Sequence, residues 1–203
     1  MDSPPNLPGP SLPPSGVHDI PPAAARVARF IGRIGKVSFW GHLVSAAVLV
    51  TMLVMAIISR TLDDSDRTFW VGLSIFLAIA SFLTLLLAIW LAFRLVRCAN
   101  RLVLPYMQPT PRPDDVRKRV FTALFVSLIG VGIGILGTEI SAVSLLAKTL
   151  THPQGAALYS PESTLRVLDV LVILINGSLA VTHFCGLTVY GWLNQRFWVG
   201  ASP

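Results

Sequence analysis

Four long apolar stretches set the pattern of the chain, at residues 37–59, 69–93, 121–147 and 167–193. Each exceeds the roughly 20 residues that a helix needs to cross about 30 Å of hydrocarbon. Only helices and closed barrels satisfy their own backbone in lipid, so the pattern predicts an all-α integral membrane four-helix bundle. The last stretch breaks its apolar run in an ordered way. Asp169, Asn176, His183 and Tyr190 recur every seven residues, and at about 100° per residue that period holds them on one stripe, drifting only about 20° per repeat. Polar groups without partners are costly in hydrocarbon, so this stripe is expected to face other helices.

The third stretch has a row of small residues. Ser127, Gly130, Gly134, Gly137, Ser141 and Ser144 project within about 60° of one direction at helical spacing, which lets another helix approach closely. A matching row in the second stretch is Ser74, Ala78, Ser81, Ala88 and Ala92. The short link between these stretches makes them antiparallel neighbours, and the two rows are expected to pack together or to serve a subunit contact. Glu139 lies about 180° from Gly130 on the same helix and belongs to neither row. It and Asn176 fall at similar depths, roughly 12–14 Å from the nearer membrane face at about 1.5 Å per residue. A meeting of the two across the third and fourth spans is therefore an expectation. A membrane carboxyl group is a functional candidate, or else a hydrogen-bonded link between helices.

His42 enters the first span from the side on which His183 sits in the fourth. Two imidazoles on different spans form a candidate metal or proton relay pair, or each simply bonds a neighbouring helix. Asn176, His183, Glu139, His42, Tyr190 and Asp169 together make up the candidate polar seam. Met52 and Met55 read as packing residues, and the five tryptophans lie mostly near segment ends, as interfacial anchors do.

The flanks set the orientation. Arg26, Arg29, Arg33 and Lys36 recur at spacings of three or four over residues 23–36, which reads as a short amphipathic helix at the membrane surface. With Arg94, Arg97 and Arg101 they form the expected contacts to anionic headgroups. Adding Arg112, Arg117, Lys118, Arg119 and Arg196 gives twelve basic residues on one side of the membrane, against Arg60, Arg67, Lys148 and Arg166 on the other. Positive residues favour the cytoplasmic side, so both termini are expected there. Residues 1–22 hold eight of the fifteen prolines and no Lys or Arg, which predicts a disordered tail ahead of a four-span domain at 23–203. No cleavable targeting segment is visible in it.

Composition adds limits rather than a substrate. A 53% hydrophobic, 13% charged chain with mean hydropathy +0.68 is membrane-like. The +6 net charge lies beside apolar runs, which favours anionic lipid over nucleic acid as the partner. Cys98 and Cys185 have no ligand spacing, so neither disulfide nor zinc is expected. The Asp63, Asp64 and Asp66 cluster lacks the alternating ligands and glycine of a calcium loop. No enzymatic constellation and no bound cofactor are expected.

Several stretches together carry a family resemblance: RIGKVSFWGHL opening the first span, WLAFRLVRCANRL closing the second, GIGILGTEISAVSLLAKTL in the third, and ILINGSLAVTHFCGLTVYGWLNQRF in the fourth. Over about residues 27–196 the chain resembles the four-span family of cyanobacteria and plastids that includes the Tic twenty-one protein, also described as a permease in chloroplasts. The resemblance implies either iron transport or a part in protein import, as a translocon component or assembly factor. It places Asn176 and His183 on the family's Asn and His of the last span, whereas Glu139 stands where a less acidic polar residue is expected. It implies a plasma or thylakoid membrane of cyanobacterial type. Four spans leave little room for a solvated path, so a homo-oligomer or larger membrane complex is expected if anything is conducted.

Overall fold

The computed structural model describes residues 22–62, 69–103, 113–151 and 167–199. The described residues form four helices and no strand: α1 (Pro22–Leu62), α2 (Phe69–Val103), α3 (Pro113–Thr151) and α4 (Val167–Val199). All four are long and apolar enough to cross a membrane. The proline-rich tail before Pro22, the Asp63, Asp64 and Asp66 turn, the link between α2 and α3, and the segment holding His152 lie outside the described residues. So do the side chains of Arg26, Arg196 and Trp198.

Contacts between helices fix their directions. Ser74 on α2 bonds Gly137 on α3, and Ser81 bonds Gly130, so one helix ascends as the other descends. Asn176 and His183 on α4 meet Ser74 and Ser81 in the same order, which makes α4 parallel to α2. Ser38 on α1 meets Tyr190, and His42 lies against Gly186, so α1 runs opposite to α4. The bundle is thus up, down, up, down. One end carries both termini and the other carries the α1–α2 and α3–α4 connections.

Local chemistry agrees with these limits. Pro113 opens α3 with Asp114 and Asp115 in its first turn, where a proline needs no backbone donor and a carboxylate meets the positive end of the helix dipole. The basic stretch at residues 23–36 is the opening of α1 itself and runs without a break into the first span. Ile31 is buried there, and Gly32 and Gly35 seat α1 on Ala99 and Val96 of α2. Arg29, Arg33 and Lys36 point outward from the same turns.

Two apolar clusters fill the bundle. At the termini end, Leu91, Leu95 and Ala99 of α2 meet Val116, Val120 and Ala123 of α3 with Leu193 of α4. Toward the other end, Leu49 and Leu53 of α1 meet Ile75 and Leu85 of α2 with Val172, Ile175 and Leu179 of α4. α3 contributes no large apolar side chain to this second cluster, because its inward positions are the glycines and serines. The outer faces carry Val48, Phe76, Leu83, Leu136, Val143 and Phe184, all exposed, as suits helices bathed in hydrocarbon rather than water.

The close approach of α3 to α4 centres on Gly134. A Cβ at Gly134 would lie 2.9 Å from the backbone N and 3.0 Å from the Cα of Ala180, and backbone cannot swing aside as a flexible side chain can. Gly132, two residues away, faces open space. Gly134→Ala should therefore lower stability to unfolding in mixed micelles by about 1–3 kcal/mol, the range for overpacking. Gly132→Ala should be neutral or stabilising by up to about 1 kcal/mol through helix propensity. Equal effects of the two substitutions would contradict this packing.

Candidate functional site: a buried polar seam

All four residues of the α4 stripe are buried, and each meets a different part of the bundle. Farthest from the termini, both carboxylate oxygens of Asp169 accept from the Lys148 Nζ of α3, at 3.0 and 3.1 Å. Next, the Asn176 amide, 0% exposed, donates to the Val172 carbonyl at 3.0 Å and, at 3.4 Å, reaches the carbonyl and hydroxyl of Ser74 on α2. Its Oδ1 finds no hydrogen-bond donor and rests against the backbone of Gly137. The Ser74 and Ser141 hydroxyls both lie within hydrogen-bond reach of the Gly137 carbonyl and of each other, one of them donating to the carbonyl and the other to its neighbour's Oγ. α2, α3 and α4 are therefore joined at one level by small hydroxyls and one amide.

His183, also 0% exposed, lies flat on the backbone of Gly130, where any Cβ would collide with the ring. Its Nε2 is 3.1 Å from the Ser81 carbonyl and 3.1 Å from the Thr84 hydroxyl. A carbonyl only accepts, so in the neutral ring the proton sits on Nε2 and the lone pair on Nδ1. That Nδ1 has no partner. His42 on α1 repeats the arrangement with the nitrogens exchanged: Nδ1 donates to the Ser38 carbonyl at 2.7 Å, which leaves the lone pair on Nε2, also without a partner. This Nε2 faces the gap left by Gly186, beside the Ser127 hydroxyl. The Ser38 hydroxyl then bridges His42 Nδ1 at 3.3 Å and the Tyr190 hydroxyl at 3.1 Å.

On each of α1, α2 and α4 the histidine level falls near the junction of the two apolar clusters. The seam as a whole runs from Lys148–Asp169 at one end to Ser38–Tyr190 near the termini. Its glycines make room for it: Gly130, Gly134 and Gly137 admit the His183 ring, the Ala180 backbone and the Asn176 amide in turn. Ala78 and Ser81 are buried on the α2 side of the same contact.

Glu139 does not belong to the seam. Gly137 backs onto Asn176, and Glu139, two residues on and about 200° around the helix, is exposed on the outer face of α3. The expected meeting of Glu139 with Asn176 does not occur. Similar depth placed them together, but the angle separates them. Ser38, Thr84 and Lys148 join the seam although they stand outside the periodic rows. Two of them carry a signal: Ser38 lies one turn before His42 on the same face, and Thr84 one turn after Ser81. The basic residues Arg94, Arg97 and Arg101 form an exposed face at the termini end of α2, with Arg94 over Trp90 at 4.6 Å and Arg97 over Phe93 at 4.4 Å.

Residues 21–197 match the family model described as a protein of unknown function, DUF3611. The chain belongs to that family. It is also 28% identical over 167 residues to the Arabidopsis thaliana protein called "Protein TIC 21, chloroplastic". That match covers 80% of this chain and 54% of the relative, so the chain spans about half the length of the curated relative it matches. No solved structure matches the chain. Family membership and the four apolar helices together describe a multi-pass membrane protein related to a chloroplast protein.

The Ser38–Tyr190 link ties α1 to α4 at the termini end of the seam. Tyr190→Phe and Ser38→Ala should each cost about 1 kcal/mol, and the double substitution should cost less than their sum by about 0.5–1 kcal/mol. Strict additivity in unfolding measurements would show that the two hydroxyls do not interact.

Proposed function

We propose that this chain works in transport across a cyanobacterial-type plasma or thylakoid membrane, without catalysing a reaction, and that the seam is the route of a small cation. The observation that carries this reading is the pair of buried imidazole lone pairs, His42 Nε2 and His183 Nδ1, which lack partners at the junction of two apolar clusters. Leaving polar atoms unpaired in a membrane interior is costly. Two nitrogen donors that lose nothing when a cation arrives are a reason to keep them so. Imidazole nitrogen suits divalent first-row metals, ferrous iron among them, and the family resemblance favours iron as the substrate. The seam is closed in this state by the glycine contacts, so passage requires α3 and α4 to part, an alternation between two states of the kind that carriers use. The excess of positive residues at the termini end supports a cytoplasmic location for it, with the Arg94, Arg97 and Arg101 face meeting anionic headgroups.

A role as a translocon component or assembly factor is the second reading, supported by the seam's bonds themselves, which run from helix to helix. Ferrous-iron uptake into proteoliposomes separates the two. Saturable uptake by the wild type is expected, and His183→Ala and Asn176→Ala should lower it by roughly tenfold or more at matched, folded incorporation, the scale on which metal-site residues act. No uptake above empty liposomes, with protein shown to be folded, would overturn the permease reading in favour of the second.

A further inference from the structure

The α3–α4 end of the seam contains a small cavity of about 10 Å³, lined by Val71, Ser74, Ser141, Ser144, Asp169 and Val172. That is space for about one water-sized occupant. Its lining residues bring one carboxylate and three hydroxyls, all hard oxygen donors of the sort that bind alkali and alkaline-earth cations. The Ser74 and Ser141 hydroxyls divide their two protons between the Gly137 carbonyl and each other, and Ser74 also accepts from the Asn176 amide, so the Ser141 oxygen keeps acceptor capacity. The lining carries a single negative charge.

Lys148 answers that charge. Its ammonium is 3.0 and 3.1 Å from the two Asp169 oxygens, and the helix ends reinforce the pairing. Lys148 lies in the last turn of α3 and Asp169 in the first turn of α4, so each charge meets the favourable end of its own helix dipole. The two partners differ in their access to water. The Lys148 side chain is 28% exposed and can carry its charge outward on a long stem, whereas Asp169 is 8% exposed and fixed at a helix start. When the ammonium leaves, a buried carboxylate and three serine oxygens remain around a space of atomic size.

We propose that this cavity is a monovalent cation site of sodium size, for which the Lys148 ammonium is a tethered competitor. Charge balance selects the class: one monovalent ion neutralises Asp169, whereas a divalent ion would leave a net positive charge beside buried apolar groups. Binding here goes beyond the transport reading and is measured without flux, so it stands or falls independently of iron uptake.

The test is sodium-dependent thermal stability of the full chain in lipid nanodiscs, with choline and potassium chloride as controls at constant ionic strength. Lys148→Met removes the competitor and should show a saturable rise in unfolding midpoint with sodium, about 5 °C at a concentration roughly a hundredfold above Kd. Potassium should give a smaller rise and choline none. The wild type should respond only at higher sodium, and Lys148→Met combined with Asp169→Asn should not respond. A folded Lys148→Met protein with no response beyond choline, or a response that survives Asp169→Asn, overturns the proposal. Should Lys148→Met fail to fold, sodium-23 NMR of the wild type decides: the line should broaden beyond that of empty nanodiscs and narrow again in Asp169→Asn, and equal broadening in both proteins overturns the site.

Discussion

The structure depends on how closely α3 can approach α4. Dispersion contacts and hydrogen bonds, not water exclusion, hold helices together in a bilayer, and both fall off steeply with separation. Three missing side chains, at Gly130, Gly134 and Gly137, bring the α3 backbone against His183, Ala180 and Asn176. Bulk at any of them would push the helices apart and open the seam along its length. The glycines cost helix propensity, and the contact recovers it by admitting polar side chains that have no other place in hydrocarbon.

The remaining arrangement follows from that contact. Because α3 presents only small residues inward over this half of the bundle, the second apolar cluster is built by α1, α2 and α4 around it. α2 then supplies the acceptors the seam needs, through the Ser74 and Ser81 carbonyls. α1 joins at the other end, where His42, Ser38 and Tyr190 form a short chain of hydrogen bonds. Among the described residues, the buried side-chain atoms left without partners, His42 Nε2, Asn176 Oδ1 and His183 Nδ1, all lie on this line. Buried polar groups ordinarily have partners, and this clustering is what supports the proposed transport reading over a purely structural one.

Much of this is legible in the sequence, because in a membrane both apolar length and polar periodicity have few interpretations. The four stretches correspond to four helices, and the seven-residue spacing puts Asp169, Asn176, His183 and Tyr190 on one buried stripe. What the pattern lacks is distance between helices. Glu139 and Asn176 share a depth, yet nothing in a one-dimensional pattern says which side of α3 meets α4. The small-residue rows suggest α2 as the neighbour of α3, and Ser74 and Ser81 do meet it, but the tightest glycine contacts are with α4. Lys148 stands in the pattern only as a charge outside the membrane, although an antiparallel α3–α4 pair brings the last turn of one helix to the first turn of the other. The amphipathic opening at residues 23–36 is continuous with α1, since no proline or glycine signal strong enough to break a helix separates it from the first span.

Whether α4 seats its polar stripe on the glycine row of α3 can be measured by magic-angle-spinning NMR of the labelled protein in lipid bilayers. Through-space correlations are expected from the His183 ring to Gly130 Cα and from the Asn176 side-chain carbonyl carbon to Gly137 Cα. Correlations of the His183 ring with lipid acyl chains, and none with Gly130, would contradict this seating.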